Sequence, residues 1–284
     1  MTAALDAAAS AGPGPGAAPD AAADPLGQPP VLRSDADGIA TVTLNRPRHY
    51  NALSEAMLDA LQAELDALAH DPGVRVVVLA GAGKAFCAGH DLKEMRARPE
   101  LAYYQDLFAK CSRVMQAIAA LPVPVIARVH GLATAAGCQL VAQCDLAVAS
   151  TDARLAVSGI NVGLFCATPA VPLSRAIGRK VAMEMLMTGD FIDAGTALVR
   201  GLVNRVAAPE ELDAGVAALA QSIAAKSPVA VRAGKAMFAR QLELPLAEAY
   251  ALAGQTMACN MMAEDAGEGI DAFIAKRPPQ WRGR

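Results

Sequence analysis

Strand-like and helix-like patterns alternate along this chain from residue 39 to residue 206, and this alternation limits the folds open to it. Residues 39–44 alternate apolar and polar side chains, and residues 74–79 form a nearly continuous apolar run of the kind found in buried strands. Between them, Ser54 can cap a helix in which leucines recur at spacings of three and four, at Leu58, Leu61, Leu65 and Leu68. The same alternation predicts an α/β fold.

The pattern continues with a long loop at 81–91, a helix to about residue 120, and strands at 125–129 and 145–149. A last strand is predicted near 203–206. After Pro209 the pattern is helical only, through Phe273. We therefore expect a core at 31–208 that carries the ligand site, followed by a C-terminal helical region at 209–284.

Composition excludes several classes of function. The formal net charge is −3, no Lys/Arg-rich run is present and aromatic residues make up 4%, so we expect neither nucleic acid nor a membrane as a partner. The six cysteines form no CxxC pair and, with four histidines, give no metal-ligand spacing. No apolar run reaches 18 residues. We predict no metal site and no membrane span.

The first 30 residues are dominated by Ala, Pro, Gly and Asp, and no Lys or Arg precedes Arg33. Such a stretch lacks the basic start of a signal peptide and the arginines of a mitochondrial presequence. We therefore expect residues 1–30 to be a disordered leader, and we predict a cytoplasmic location.

Two loops of small residues each follow a predicted strand. They read AFCAG at 85–89 and TAAG at 134–137. Side chains this small let a ligand approach the backbone, and the second loop opens a helix whose first N–H groups have no partner inside the helix. Two such N–H groups aimed at one point can polarise a carbonyl and stabilise an oxyanion. Close packing of a helix on a strand also requires small residues, and this alternative stays open.

Several motifs, in order along the chain, carry a resemblance to a known family. They read LNRP at 44–47, NAL at 51–53, FCAGHDLKEM at 86–95, HG at 130–131, AGC at 136–138, CDLA at 144–147, AMEMLMTG at 182–189 and GLV at 201–203. Together they resemble the crotonase (enoyl-CoA hydratase/isomerase) superfamily over about residues 38 to 280. Residues 159–166 resemble a narrower branch, whose animal members are known as mitochondrial.

The resemblance implies a fold, a ligand and an assembly. The fold is a crotonase-type spiral of ββα units, and the C-terminal helical region forms trimers or dimers of trimers. The ligand is an acyl-CoA or enoyl-CoA thioester whose carbonyl accepts hydrogen bonds from the amides of Ala88 and Ala136. No cofactor is implied, because coenzyme A enters as part of the substrate.

The same resemblance implies which residues contact coenzyme A. The backbone from Lys84 to Leu92 lines the adenine and the pantetheine, Arg48, Lys84 and Lys276 can meet the phosphates, and Phe273 and Lys276 can reach the ligand of a neighbouring subunit. A solvated surface charge is the alternative for each basic residue. The residues implied in coenzyme A binding are Arg48, Lys84, Ala85, Phe86, Ala88, Gly89, His90, Asp91, Leu92, Phe273 and Lys276.

The sequence departs from the family at the two glutamates that handle water and the α-proton in hydratases. The matching positions are Gln139 and Gly159. Glutamine orients water but takes no proton at neutral pH, and glycine has no side chain, so hydration is expected to be weak or altered. His90 is a candidate replacement because its ring can titrate near neutral pH, although a surface or packing histidine is the favoured alternative. Ser158 and Cys166 are uncharged candidates near the pocket, without a visible activating partner.

Two functions follow from these observations. The first is an enoyl-CoA hydratase/isomerase-like enzyme of fatty acid and acyl-CoA metabolism that acts through an oxyanion hole. The second is a non-catalytic acyl-CoA-binding protein. The enzyme interpretation is preferred, and turnover of CoA thioesters distinguishes the two.

Overall fold

The computed structural model of the protein describes residues 27–284, and these residues form two β-sheets surrounded by helices. The strands are β1 (Val31–Ala36), β2 (Ile39–Leu44), β3 (Val76–Gly81), β4 (Ala85–Cys87), β5 (Val125–Val129), β6 (Leu132–Thr134), β7 (Leu146–Ser150), β8 (Arg154–Ala156), β9 (Ile192–Asp193) and β10 (Arg205–Ala207). One sheet has six strands in the order β1-β2-β3-β5-β7-β10, and the other has four in the order β4-β6-β8-β9.

Eleven α-helices are present in the described residues, with short 3-10 helices at Pro47–His49, Ser158–Val162 and Pro209–Glu211. The α-helices are α1 (Glu55–Ala69), α2 (Leu92–Ala97), α3 (Leu101–Ala120), α4 (Ala136–Gln143), α5 (Ala167–Ala176), α6 (Arg179–Thr188), α7 (Ala194–Val199), α8 (Leu212–Ala224), α9 (Pro228–Gln241), α10 (Leu246–Met261) and α11 (Glu264–Ile274). The α/β class predicted from the alternation is confirmed.

The chain adds strands to the two sheets in alternation. β3, β5 and β7 are parallel neighbours in the large sheet, and the strand that follows each of them, β4, β6 or β8, lies in the small sheet in the same order. Each passage of the chain therefore adds one strand to each sheet. This arrangement places the β4–α2 loop beside the β6–α4 loop, which are the two small-residue loops.

The structure also corrects the expected secondary structure in two places. The stretch 81–91 is not all loop, because it contains β4. The helix expected to reach residue 120 is two helices, because Pro99 follows the end of α2 and cannot continue it. In contrast, α1 begins after Ser54 as predicted, and the Ser54 hydroxyl accepts a hydrogen bond from the Met57 N–H.

The C-terminal segment is helical from α8 to α11, as the sequence predicts. α8 packs on the large sheet, where Leu212 and Val216 join Val76, Val78 and Ile126 in a buried cluster. The following three helices instead expose many large apolar side chains: Phe238, Leu242, Leu246, Tyr250, Met257, Met261, Met262, Ile270, Phe273 and Ile274. A role for this region in forming trimers stays a prediction, as do the boundaries of the three expected segments.

Within residues 27–284, no single helix is long and apolar enough to cross a membrane. The consecutive helical stretches Pro209–Ala224 and Pro228–Gln241 reach that length and composition only as a pair, and they are bent by 102° at their junction. Of the expected leader 1–30, residues 1–26 lie outside the described part of the chain.

Candidate active site

A cavity of about 240 Å³ opens between the two small-residue loops and the segment that leads into α5. It brings together seven of the residues singled out from the sequence, namely Ala88, His90, Leu92, Ala136, Ser158, Gly159 and Cys166. Most of the remaining wall is apolar, and consists of Met95, Phe108, Ala135, Val162, Leu164, Phe165, Ala167 and Pro169.

The expected donor Ala88 is not free to bind a ligand through its amide. Its N–H donates to the carbonyl of Tyr50, with an N···O distance of 3.0 Å. Tyr50 comes this close because it and Asn51 adopt left-handed backbone conformations, with φ of 50° and 54°. The structure therefore corrects the assignment of Ala88 as an oxyanion donor, although Ala88 does line the cavity.

The amide of His90, rather than that of Ala88, is free to donate a hydrogen bond to a ligand. Leu53 forms a parallel bridge with His90: the Leu53 N–H donates to the Gly89 carbonyl at 2.8 Å, and its carbonyl accepts from the Asp91 N–H at 3.3 Å. In such a bridge the middle residue directs its own N–H away from the partner strand. Among the described residues, the His90 N–H has no acceptor.

The second amide is that of Ala136, the first residue of α4, which also has no acceptor among residues 27–284. The two loops meet closely here. A Cβ on Gly89 would lie 3.2 Å from the Ala136 nitrogen and 2.9 Å from the Ala135 Cβ. Gly89 has φ of 91°, and its missing side chain lets the peptide that carries the His90 N–H approach the start of α4.

Asn51 holds the turn that carries the Tyr50 carbonyl. It is fully buried, and its Nδ2 lies 2.9, 2.8 and 3.1 Å from the carbonyl oxygens of Ala82, Ala85 and Phe86, while its Oδ1 accepts from the Arg46 N–H at 2.9 Å. These bonds tie the β2–α1 connection to β4. Asparagine suits the position because it tolerates the left-handed conformation and supplies both donors and an acceptor.

The small residues serve both of the purposes that the sequence left open. A Cβ on Gly137 would overlap the Cys87 carbonyl, so this glycine allows α4 to pack against β4. Ala135 and Ala136, by contrast, line the cavity. One stretch therefore supplies both close packing and an exposed backbone.

Gln139 lies one turn into α4 and is buried, with 3% of its surface exposed. It is not part of the cavity wall, and its Oε1 has no hydrogen-bond partner among the described residues. The predicted site residue is thus next to the cavity, but it presents no titratable group there.

Gly159 lines the cavity, but its surroundings leave no room for a side chain. A Cβ there would lie 2.5 Å from the Leu164 carbonyl oxygen and 2.7 Å from the Cys166 Sγ. The Gly159 N–H donates to that sulfur at 3.3 Å. The Cys166 thiol therefore fills the space that a side chain at position 159 would need, and burial raises the pKa of this thiol, so that it stays neutral.

The His90 ring lies edge-on to Phe108, with 5.5 Å between ring centroids, and neither ring nitrogen makes a hydrogen bond of normal geometry within residues 27–284. Burial lowers the pKa of His90 to about 4, and a weak interaction with the Leu53 carbonyl opposes the shift. The imidazole is neutral at pH 7. The expectation that it titrates near neutral pH is therefore wrong.

The structure separates the residues expected to contact coenzyme A into two groups. Arg48, Lys84, Leu92, Phe273 and Lys276 are exposed, whereas Ala85, Phe86 and Gly89 are buried and do not line the cavity; the remaining three, Ala88, His90 and Asp91, are partly buried. Phe273 and Lys276 do not line the cavity of their own chain.

Asp91 was expected to contact coenzyme A, but in the structure its side chain stabilises the loop before α2. Its carboxylate accepts from the Lys93 and Glu94 N–H groups at the start of α2, and it pairs with Arg46 at 3.3 Å. Both side chains are largely shielded, so this pair fixes the loop that carries His90.

Several residues that shape the site could not be recognised from the sequence. Tyr50 is one, because a left-handed turn at non-glycine residues is not visible in a pattern of side chains. Phe108 and Phe165 are others, since an apolar residue on a helix or loop does not show which cavity it lines. Within the described chain no group of three His, Cys, Asp or Glu side chains is placed to hold a metal ion.

Two sheets of mostly parallel strands, with an apolar cavity beside two amides that have no acceptor in the described chain, indicate the class of protein. Comparison with known proteins identifies it. The profile of the family described as Enoyl-CoA hydratase/isomerase matches residues 34–284. The chain belongs to this family.

The relatives also support the narrower branch that residues 159–166 indicate. The chain is 48% identical over 245 residues to the rat protein "Enoyl-CoA hydratase domain-containing protein 3, mitochondrial", covering 86% of this chain and 82% of the relative. The crystal structure of the human protein of that name has a TM-score of 0.86 at 46% identity, covering 89% of this chain and 100% of the other. A Mycobacterium smegmatis enoyl-CoA hydratase structure has a TM-score of 0.88 at 62% identity, covering 89% and 99%.

These relatives contradict the predicted cytoplasmic location. The rat protein and its counterparts from mouse, Xenopus laevis and human all carry the word mitochondrial in their names. The prediction rested on the composition of residues 1–30, most of which lie outside the described structure.

Proposed function

We propose that the protein is an enoyl-CoA hydratase/isomerase-like enzyme that binds an acyl-CoA thioester with its carbonyl oxygen between the N–H groups of His90 and Ala136. The observation that carries the proposal is this pair of amides. Both lack an acceptor among residues 27–284, both belong to residues that line one apolar cavity, and they come from two loops in direct contact.

Two fixed amides suit the chemistry of a thioester. Abstraction of an α-proton, or addition to the β-carbon, moves negative charge onto the thioester oxygen. A prearranged N–H donor at that oxygen typically contributes about 3 kcal/mol to the transition state. The apolar wall strengthens this effect because it excludes water from the developing charge.

The site is poorly equipped for the proton transfers of hydration. Gln139 takes no proton, position 159 holds no side chain, the Cys166 thiol is neutral, and the His90 imidazole is a weak base with a pKa of about 4. General acid–base groups commonly contribute about 10²–10⁴-fold each. We therefore expect hydration of crotonyl-CoA to be weak, and we favour reactions that depend mainly on stabilising an enolate.

The coenzyme A portion of the ligand would extend along the surface past the β4–α2 loop. Arg48 and Lys84 are exposed and can meet its phosphates, and in a homotrimer or a dimer of trimers Phe273 and Lys276 of a neighbouring chain can complete the site. Coenzyme A arrives as part of the substrate, and the proposed chemistry requires no other cofactor.

A second function has its own support. Within residues 27–284, the cavity wall carries no acid or base that titrates near neutral pH, and this makes a non-catalytic acyl-CoA-binding protein the alternative. The cavity then holds the thioester, and the two amides contribute affinity without turnover.

Incubation with a panel of CoA thioesters, followed by mass analysis, separates the two functions. Crotonyl-CoA, butyryl-CoA and acetyl-CoA are each incubated with wild-type protein and with Gly89→Ala. In the variant, the new methyl meets Ala135 and the Ala136 nitrogen and forces the donors apart. Gly195→Ala is the matched control, since its Cβ meets nothing closer than 3.6 Å.

A changed thioester mass or isomer composition with wild type and Gly195→Ala, but not with Gly89→Ala, supports the enzyme. Tight binding with every thioester intact supports the binding protein. Failure of wild type to bind any thioester at millimolar concentration contradicts both.

A further inference from the structure

Two hydroxyl groups lie together at the wall of the cavity. The Thr134 Oγ1 and the Ser158 Oγ are 2.7 Å apart. Thr134 ends β6 and is buried, with 7% of its surface exposed, whereas Ser158 begins the 3-10 helix Ser158–Val162 and lines the cavity. One strand and one turn thus fix this pair beside Ala136 and Gly159.

The burial of Thr134 decides which hydroxyl donates. Each hydroxyl has one hydrogen, and neither has another hydrogen-bond partner among residues 27–284. If Ser158 donated, the Thr134 hydrogen would remain in the interior without an acceptor, at the full desolvation cost of that group. If Thr134 donates, its buried hydrogen has the Ser158 oxygen as an acceptor, and the Ser158 hydrogen is available to the cavity.

The other polar groups of the wall are less suited to hold a ligand. The His90 ring nitrogens are buried, and the Cys166 sulfur already accepts from the Gly159 N–H. Thr168 carries a second hydroxyl, but no partner in the described chain orients it. Ser158 is therefore the one side-chain donor of this wall, within the described residues, that a buried partner orients.

We propose that Ser158 determines specificity by donating a hydrogen bond to a second oxygen on the acyl chain, beyond the thioester carbonyl, and that Thr134 positions its hydroxyl. The acyl groups that fit are those with a hydroxyl or a ketone a few carbons from the thioester, because Ser158 and Ala136 line the same cavity of about 240 Å³. This inference rests on the proposed function.

Calorimetry with four-carbon thioesters tests it. Butyryl-CoA is compared with acetoacetyl-CoA and with both enantiomers of 3-hydroxybutyryl-CoA. We expect at least one oxygenated thioester to bind wild type about 3- to 10-fold more tightly than butyryl-CoA, the size of one neutral hydrogen bond. Ser158→Ala brings this ratio to about 1, because the oxygenated thioester loses its additional hydrogen bond.

Three further variants separate orientation from packing. Thr134→Val removes the donor behind Ser158 and lowers the ratio toward 1, whereas Thr134→Ser keeps the hydroxyl and restores it. Thr168→Val is the matched control, because it removes a hydroxyl from the same cavity without touching the pair, and it leaves the ratio as in wild type. If Ser158→Ala does not fold, the Thr134→Val and Thr134→Ser ratios decide.

The outcomes distinguish this inference from the function on which it rests. If butyryl-CoA binds but no oxygenated thioester binds more tightly, or if the preference survives in Ser158→Ala or Thr134→Val, the role of Ser158 is overturned and the proposed function stands. If no thioester binds at all, both are overturned.

Discussion

At the scale of single residues, position 159 bears on the expected departure from a hydratase. The resemblance implies a glutamate here in hydratases, whereas in this chain the Leu164 carbonyl and the Cys166 thiol occupy the space around Gly159. Reintroducing a glutamate is therefore not a simple restoration, because the loop 163–166 has to move first.

The variant Gly159→Ala tests how tightly the surrounding residues pack against position 159. The added methyl contacts the Leu164 carbonyl at 2.5 Å, so we expect a loss of about 1–3 kcal/mol in the free energy of unfolding, the usual cost of overpacking. Urea denaturation measures it. Gly195→Ala on α7, with an open Cβ position, should be neutral or slightly stabilising. Equal stability of the two variants would show that the loop yields freely.

The buried His90 ring predicts a pH dependence of stability. Its pKa of about 4 in the folded protein is below the ordinary value of 6.5, so protons bind the unfolded chain more strongly. The stabilisation is fully present above pH 6.5 and is lost as the pH falls toward 4. Between pH 7 and pH 5, wild type should lose about 2 kcal/mol more than His90→Phe, which keeps the packing on Phe108. Parallel pH profiles of the two proteins would contradict this.

At the scale of elements, the site depends on the contact between the β4–α2 and β6–α4 segments. The sequence predicted part of this arrangement. The small residues at 85–89 and 134–137 indicated two segments that meet, and Ala88, Ala135 and Ala136 do line one cavity. The donor that we propose in the first segment, the His90 N–H, lies two residues after the expected one. Ala88 is occupied by Tyr50, a contact formed through a left-handed turn 38 positions earlier in the chain, and local patterns do not reveal such contacts.

The turn is testable through Asn51. Asn51→Ala removes the donors for three backbone carbonyls and places alanine at φ of 54°, so we expect a loss of about 3 kcal/mol in the free energy of unfolding. Asn161→Ala is the control, because its single Nδ2 bond to the Gly189 carbonyl is long, at 3.4 Å, and its side chain is exposed. Its cost should remain below about 1 kcal/mol. Similar losses of unfolding free energy in both variants would show that Asn51 has no special role in holding the turn.

At the scale of the whole molecule, the fold class followed from the alternation of patterns, whereas the pairing of strands did not. β3 and β4 are separated by three residues, yet they lie in different sheets, and only the three-dimensional stacking reveals this. The C-terminal helices were also predicted, but the number of chains that pack against them is not encoded in any local pattern.

The exposed apolar surface of α9 to α11 predicts that the chain assembles with other copies, because monomers rarely expose apolar patches of this extent, and the resemblance implies three or six chains. Light scattering at low micromolar concentration should give three or six times the chain mass of 29.1 kDa. Leu246→Asp, at a side chain 74% exposed in the single chain, should lower that mass, whereas Leu101→Asp on α3, 75% exposed, should not. A wild-type mass of one chain would refute the assembly.

The central claim is that the His90 and Ala136 amides hold a thioester carbonyl, and the vibration of that carbonyl tests it most directly. Infrared difference spectra of crotonyl-CoA, with and without a ¹³C label at the carbonyl, isolate the C=O band of the bound ligand. Two hydrogen bonds from fixed amides weaken the C=O bond, so binding to wild type should lower the frequency of this band relative to water, and Gly89→Ala should reverse the shift or abolish binding. A bound thioester whose carbonyl frequency in wild type equals that in water would contradict the claim.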